Sequence, residues 1–346
     1  MDIVISDILN VPLSPMELVC PAGNLPALRA AIDNGADAVY IGFRNNTNAR
    51  NFPGLNFSAN EVASGVAYAG ERGKKVFLAI NTYPYPHYWQ ESIETIDTAA
   101  DLGVDVMILA DIGLMEYAST HHPYLRLHLS VQGSATNRHA IDFYYRNFGI
   151  KRAVVPRVLS LTQVRRLIKA SPVEIEVFGY GSLCVMVEGR CSLSSYVTGK
   201  SPNSAGVCSP AEAVRWVEGS NSRDVYLNNV LINRYHEGEP AAYPTLCKGR
   251  FEVDGEVFHS LEEPASLNVL EILPQLVRSG AAAIKVEGRQ RSRAYVARVT
   301  RTLRAALDTC LQDPERFQAS QEWVAALNEM SEGTCHTLGA YDRPWQ

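Results

Sequence analysis

No apolar run in this chain approaches the roughly 18 residues that a membrane-crossing helix needs. The opening Met1-Asp2-Ile3-Val4-Ile5-Ser6-Asp7 carries acidic residues where an export signal needs basic ones, so a cytoplasmic protein is expected. Positive charge is scarce as well. With 32 Lys and Arg against 37 Asp and Glu, the net charge of -5 gives no general grip on nucleic acid or on an anionic membrane. Several familiar signatures are also missing. No two cysteines have the CxxC spacing of a zinc ribbon or a thioredoxin site, and no HExxH marks a zinc protease. Gly179-Tyr180-Gly181-Ser182-Leu183 lacks the closing glycine of a G-x-S-x-G nucleophile turn, and no Ser/His/Asp set identifies itself. What the chain does have is bulk: 346 residues, 46% hydrophobic and 20% charged, enough to bury a large core.

Short β-branched runs recur, each ending in a turn residue and each followed by a helical pattern, which is how a parallel sheet alternating with helices is written. Eight such runs cover 16–20, 37–42, 75–81, 104–111, 126–132, 152–157, 173–179 and 282–287. Helices are expected at 25–34, stopped by Gly35, and at 89–102, stopped by Gly103. A third is expected at 295–311, with Arg298, Arg301 and Arg304 on its solvated face. The gap between the seventh and eighth strands is several times longer than the others. The pattern predicts an α/β fold, a (β/α)8 TIM-like barrel, built from 16–182 and 266–308. Residues 183–265 are a cysteine-containing insertion between strands 7 and 8, residues 1–15 an N-terminal extension, and 309–346 a C-terminal helix and tail. Within the strands, Glu174, Glu176, His128, Ser130, Gln132, Lys285 and Glu287 alternate with apolar residues. If the apolar set packs outward on the helices, these polar groups point into the lumen, either as a satisfied buried network or as a site.

The insertion carries four of the seven cysteines: Cys184, Cys191, Cys208 and Cys247, separated by six, sixteen and thirty-eight residues. An odd total in a chain without an export signal argues against a disulfide framework and for metal or cluster ligation. Each lies among turn residues, as in Glu188-Gly189-Arg190-Cys191 and Gly206-Val207-Cys208-Ser209-Pro210. Glycines there would let amide groups approach sulfur, and Arg190 and Lys248 would offset thiolate charge. Four cysteines are the usual complement of a 4Fe-4S cubane; a four-cysteine zinc site and unligated cysteines remain open alternatives. Cys20 and Cys310 read as small core residues, and Cys335 lies in a tail with no assignment.

Four stretches, Glu17-Leu18-Val19-Cys20-Pro21-Ala22-Gly23-Asn24, Ala36-Asp37-Ala38-Val39-Tyr40-Ile41-Gly42, Glu188-Gly189-Arg190-Cys191 and Lys285-Val286-Glu287-Gly288-Arg289, resemble the collagenase-like peptidase family. The resemblance covers barrel, insertion and tail, and is strongest to its ubiquinone-biosynthesis branch. In proteins similar to this one, four cysteines of the insertion bind a 4Fe-4S cluster, and the matching positions are Cys184, Cys191, Cys208 and Cys247. The resemblance further implies a heterodimer with a UbiV-like protein, cooperation with a UbiT-like lipid-binding protein, and hydroxylation of a prenylated aromatic ring without oxygen. An organic oxygen donor such as prephenate would supply the oxygen atom. RNA-base hydroxylation and peptide cleavage are the alternatives within the family.

Barrel enzymes place their sites at the C-terminal ends of the strands. Those ends supply Asn81, Asp111, Gln132, Arg157, Tyr180 and Glu287-Gly288-Arg289. Arg157 and Arg289 are the candidate anion anchors, because a guanidinium fork bonds both oxygens of a carboxylate. Glu287 would orient one of them, or simply pair with Arg289.

Overall fold

A computed structural model describes residues 16–204 and 207–343. The expected extension at 1–15, Gly206 and the last tail residues, 344–346, lie outside the described residues. Eight parallel strands close on themselves: β1 (Glu17–Pro21), β2 (Ala38–Ile41), β3 (Lys75–Ile80), β4 (Val106–Leu109), β5 (Arg126–Leu129), β6 (Arg152–Val154), β7 (Glu174–Ser182) and, after the insertion, β14 (Ala283–Val286). β14 pairs with both β1 and β7, which completes the barrel. The fold is the TIM-like (β/α)8 barrel that the alternation predicts.

Between β7 and β14 lie a three-stranded antiparallel sheet of β8 (Val214–Glu218), β9 (Ser222–Leu227) and β10 (Val230–His236), then a hairpin of β11 (Arg250–Val253) and β12 (Glu256–His259). The three-stranded sheet closes a small core of its own around Val225, Leu227, Ile232 and Tyr235. β13 (Ser266–Asn268) runs antiparallel to the end of β7, and β15 (His336–Thr337) lies beside it. β7 therefore runs to Ser182 rather than stopping at Gly179. Gly179 and Gly181 look like turn residues, but a Cβ on Gly179 would meet Ile284 at 3.2 Å and one on Gly181 would meet Glu287 at 2.7 Å. These glycines allow close packing within a continuous strand.

The helices follow the chain chemistry. Asn24 caps Leu25–Asp33 by accepting from the Ala27 amide at 2.9 Å. Gly35, at φ +99°, ends that turn where a Cβ would strike the Arg304 side chain. Arg304 is not on a solvated face as expected: it bonds Asp37 at 2.9 Å and ties the helix Arg293–Gln312 to the start of β2. Outward strand residues such as Leu18, Ile41, Leu78, Leu109 and Val177 form one large core with the helices. Inward residues Val19, Tyr40, Phe77, Ala79 and Ile108 form a separate cluster inside the barrel.

The β5–β7 side of the lumen is charged instead. Glu176, fully buried, accepts from Lys285 at 2.7 Å and from Arg152 at 3.2 Å; Arg152 also reaches Glu17 and Glu174, each at 2.7 Å. The alternating polar residues thus turn inward, and Glu176, Lys285 and Arg152 satisfy one another, while buried His128 keeps Nδ1 without a partner. Among the described residues no helix is long and apolar enough to cross a membrane.

Candidate functional site

The open end of the barrel and the insertion enclose a cavity of about 790 Å³. Its barrel half is lined from the strand ends by Asn81, Gln132, Arg157, Glu287 and Arg289. Its other half comes from the insertion and includes Cys184, Cys191, Cys208 and Cys247. Four cysteines scattered through the sequence thus meet on one cavity; each is half-buried and none forms a disulfide. Cys184 follows β7 directly, Cys191 precedes the short helix Leu193–Thr198, and Cys247 sits in the turn Leu246–Lys248. Burial pushes the thiols of Cys184, Cys208 and Cys247 upward, so they stay neutral unless a cation takes their charge. This donor set suits iron or another soft metal. Among the described residues no three His, Cys, Asp or Glu side chains gather closely enough for a single metal ion, whereas one tetrahedral zinc would need its sulfurs about 3.8 Å apart. Cys20, bonded to Thr300 at 3.2 Å, and Cys310 are buried in the core, and Cys335 is exposed.

The insertion is locked to the barrel at definite points. Arg157 donates from Nε to Glu188 at 2.7 Å and from its fork to the Ser182 carbonyl, and it stacks over Phe178 at 4.3 Å. Arg157 is therefore bound to the chain's own carboxylate rather than open to a ligand carboxylate. Glu188 keeps one buried oxygen, Oε2, without a partner. Lys248, also buried, bridges Glu332 at 2.5 Å and the Ser182 hydroxyl at 2.9 Å. The tail thereby becomes part of the cavity wall, a role that its sequence did not signal. Arg190 is exposed and does not line the cavity, contrary to the expectation that it faces the thiols; its neighbours are Tyr83 and Tyr144. Lys248 does lie near Cys208 and Cys247, together with Arg50 and Arg157 around Cys208.

Other strand-end residues have structural work. Asp111 caps a helix by accepting from the Leu114 amide at 3.0 Å, and the Tyr180 hydroxyl is buried against Leu327 and Ser331. Asn81 accepts from the Ala49 amide at 3.0 Å. Glu287 accepts weakly from the Ser182 amide at 3.4 Å and makes no salt bridge with Arg289. Arg289 instead donates to Asn48 at 2.6 Å.

The model of peptidase family U32 matches residues 23–344, which takes in the barrel from the turn after β1 onward, the cysteine segment and the tail at Glu332. The chain belongs to this family. It is 34% identical over 301 residues to an uncharacterized protease of Methanocaldococcus jannaschii, covering 86% of this chain and 66% of the relative. It is 30% identical to tRNA hydroxylation protein P1 of Bacillus subtilis, over 90% of this chain and 68% of that one. To tRNA hydroxylation protein P of Escherichia coli it is also 30% identical, over 92% and 72%. The family member thus spans about two thirds of the length of these relatives. A solved U32 peptidase covers 82% of this chain and 97% of its own, at 14% identity and a TM-score of 0.48.

Proposed function

We propose that this chain is the cluster-bearing component of an oxygen-independent hydroxylation system, with Cys184, Cys191, Cys208 and Cys247 as ligands of a 4Fe-4S cluster. The observation that carries the reading is the meeting of those four half-buried cysteines on the wall of a barrel-mouth cavity large enough for a substrate ring. A cubane offers iron at four separated corners, which suits thiols spread around a cavity better than one zinc ion does. When bound, the cluster would supply one-electron chemistry at the wall. The chain's own contribution is to hold the ligand loops against β5 and β7 through Glu188 and Lys248 and to shield the ring between Tyr40 and Phe178 from water. Hydroxylation is the activity named for several relatives, and the cavity lining offers no serine-histidine pair for the peptide cleavage that other relatives' names suggest. Ser182 is held by Lys248, itself paired with Glu332, and no histidine lines the cavity among the described residues.

Within that class we favour a UbiU-type role: a heterodimer with a UbiV-like protein, receiving a prenylated ubiquinone precursor from a UbiT-like carrier and oxygen from an organic donor such as prephenate. A net charge of -5 favours an uncharged ring over a polyanion. The relatives named for tRNA hydroxylation favour the second reading, a nucleobase substrate. The test begins with anaerobic purification, which should give brown protein carrying about four iron and four sulfide per chain. A deletion strain grown without oxygen should then lose ubiquinone and keep its hydroxylated tRNA nucleosides. The reverse pattern establishes the nucleobase reading, and colourless, iron-free protein from anaerobic cells sinks both.

A further inference from the structure

The charged network in the lumen holds one more cation than carboxylate among the described residues. Glu17, Glu174 and Glu176 are shared by Lys75, Arg126, Arg152 and Lys285. Of this network only Lys285 lines the mouth cavity. It is 5% exposed and stands next to last in β14, at the strand end from which barrels present reactive groups. Its amine donates to Glu176 at 2.7 Å and lies 3.9 Å from the centre of the Tyr40 ring, which a bond from the Tyr40 hydroxyl to the Val286 carbonyl fixes in place. The wall that lumen and cavity share there, Tyr40, Ala79 and Ile108, is apolar. Burial lowers Lys285 from the ordinary ammonium range although Glu176 raises it, and the charges of Arg152 and Arg289 add to the fall. In a simple ion pair, loss of the ammonium proton strands the carboxylate. Here it does not, because Glu176 keeps Arg152 at 3.2 Å. A neutral Lys285 leaves three cations facing three carboxylates.

We propose that Lys285 is a nucleophilic amine that captures small aldehydes and ketones in the barrel half of the cavity as a Schiff base. Lys285 passes one proton to Glu176, and its freed lone pair forms the C–N bond while the C=O pair moves to oxygen. A second nitrogen proton, together with the one on Glu176, leaves with that oxygen as water. The iminium keeps the third proton and the original positive charge, and nothing is oxidised or reduced. Glu176 and the Tyr40 face therefore hold the product as they held the ammonium. The inference goes beyond the hydroxylation reading and does not rest on it, because no cysteine takes part.

Incubating the anaerobically purified chain at neutral pH with benzaldehyde and sodium cyanoborohydride tests this, because the hydride fixes any imine as a stable benzylamine. Peptide mass spectrometry then assigns the label among the seven lysines. Lys285 should be labelled at least about tenfold faster than the exposed Lys169 and than Lys248, the other lysine on the cavity. The preference should vanish in urea-unfolded chain. Glu176→Gln leaves Arg152 its bonds to Glu17 and Glu174 and removes the proton relay, so it should slow labelling of Lys285 by about tenfold; an amine that is merely accessible would react as fast or faster once its carboxylate is gone. Lys285→Arg keeps a cation opposite Glu176, and its total label should fall to the level of the exposed lysines. Labelling of Lys285 no faster than of Lys169, a label concentrated on Lys248, a preference that survives in urea, or undiminished labelling in folded Glu176→Gln overturns the proposal. The measurements on the parent chain decide even if both variants fail to fold.

Discussion

The Ser134 hydroxyl donates to the Glu188 carbonyl at 2.7 Å, joining the turn after β5 to the cysteine loop that starts beyond β7. Next to that bond Gly189 sits at φ +88°, and a Cβ there would come within 1.9 Å of the Gln132 carbonyl. No side chain fits without pushing the loop away from the barrel. Gly189→Ala should therefore destabilise the chain by roughly 2 kcal/mol or more and lower its iron content, whereas Gly199→Ala, with open space around it, should keep its iron. Thermal unfolding alongside iron analysis reads both effects, and an iron-replete Gly189→Ala protein of unchanged melting temperature contradicts the docking argument.

Arg152 holds three carboxylates, Glu17, Glu174 and Glu176, at the closed end of the lumen. Removing one partner of a buried ion pair strands the other, at a cost of about 3–5 kcal/mol. Arg152→Met should lower the urea midpoint accordingly, and Lys285 alone should not compensate, because it reaches only Glu176 among the three. A midpoint within experimental error of the parent would show that the network contributes nothing net.

His128 lies in the same lumen, accepting from Arg126 at 3.1 Å and packed edge-on to Phe77. Burial, then the charges of Arg152, Arg126, Lys285 and Lys75, holds it well below its usual 6.5. A base whose folded value is depressed binds fewer protons than it does when unfolded. Stability is therefore complete above about pH 6.5 and falls as the pH drops below it, by up to about 1.4 kcal/mol per unit from this one group. His128→Gln retains an acceptor for Arg126 and does not titrate. Denaturation between pH 7 and 5 should show a flatter slope in that variant, and parallel slopes rule His128 out as a contributor.

The barrel was legible because its signals are local. Each strand is a short run with a turn residue after it, and the alternation in Ile284-Lys285-Val286-Glu287 marks which side chains turn inward. The small sheet of β8–β10 carried hairpin signals too, an Asn228-Asn229 turn with Asn228 at φ 51° and a Gly219-Ser220-Asn221 turn, but their polarity reads as irregular loop. The partners of the candidate site were not legible, since they depend on how the insertion folds back. Glu188 marked a motif, yet nothing local says that it meets Arg157, and that pairing takes away one of the two expected anion anchors. Arg190 failed for the opposite reason: adjacency to Cys191 in sequence put it on the exposed side of the turn.

Loss of iron should loosen the insertion unevenly. The sheet of β8–β10 has its own apolar core, with Val225 and Leu227 fully buried, and its strands hold one another through regular pairing. Among the described residues, the ligand segments 184–204, 207–210 and 243–249 have little regular structure beyond the short helix Leu193–Thr198, so metal ligation would supply much of their order. Chelating the iron, or making Cys247→Ser, should speed amide exchange in those segments by tenfold or more and leave residues 222–236 nearly unchanged. Uniform loosening of the whole insertion would mean that the sheet depends on the metal. No change in the ligand segments after iron loss would mean that the protein contacts at Arg157 and Lys248 suffice to order the site.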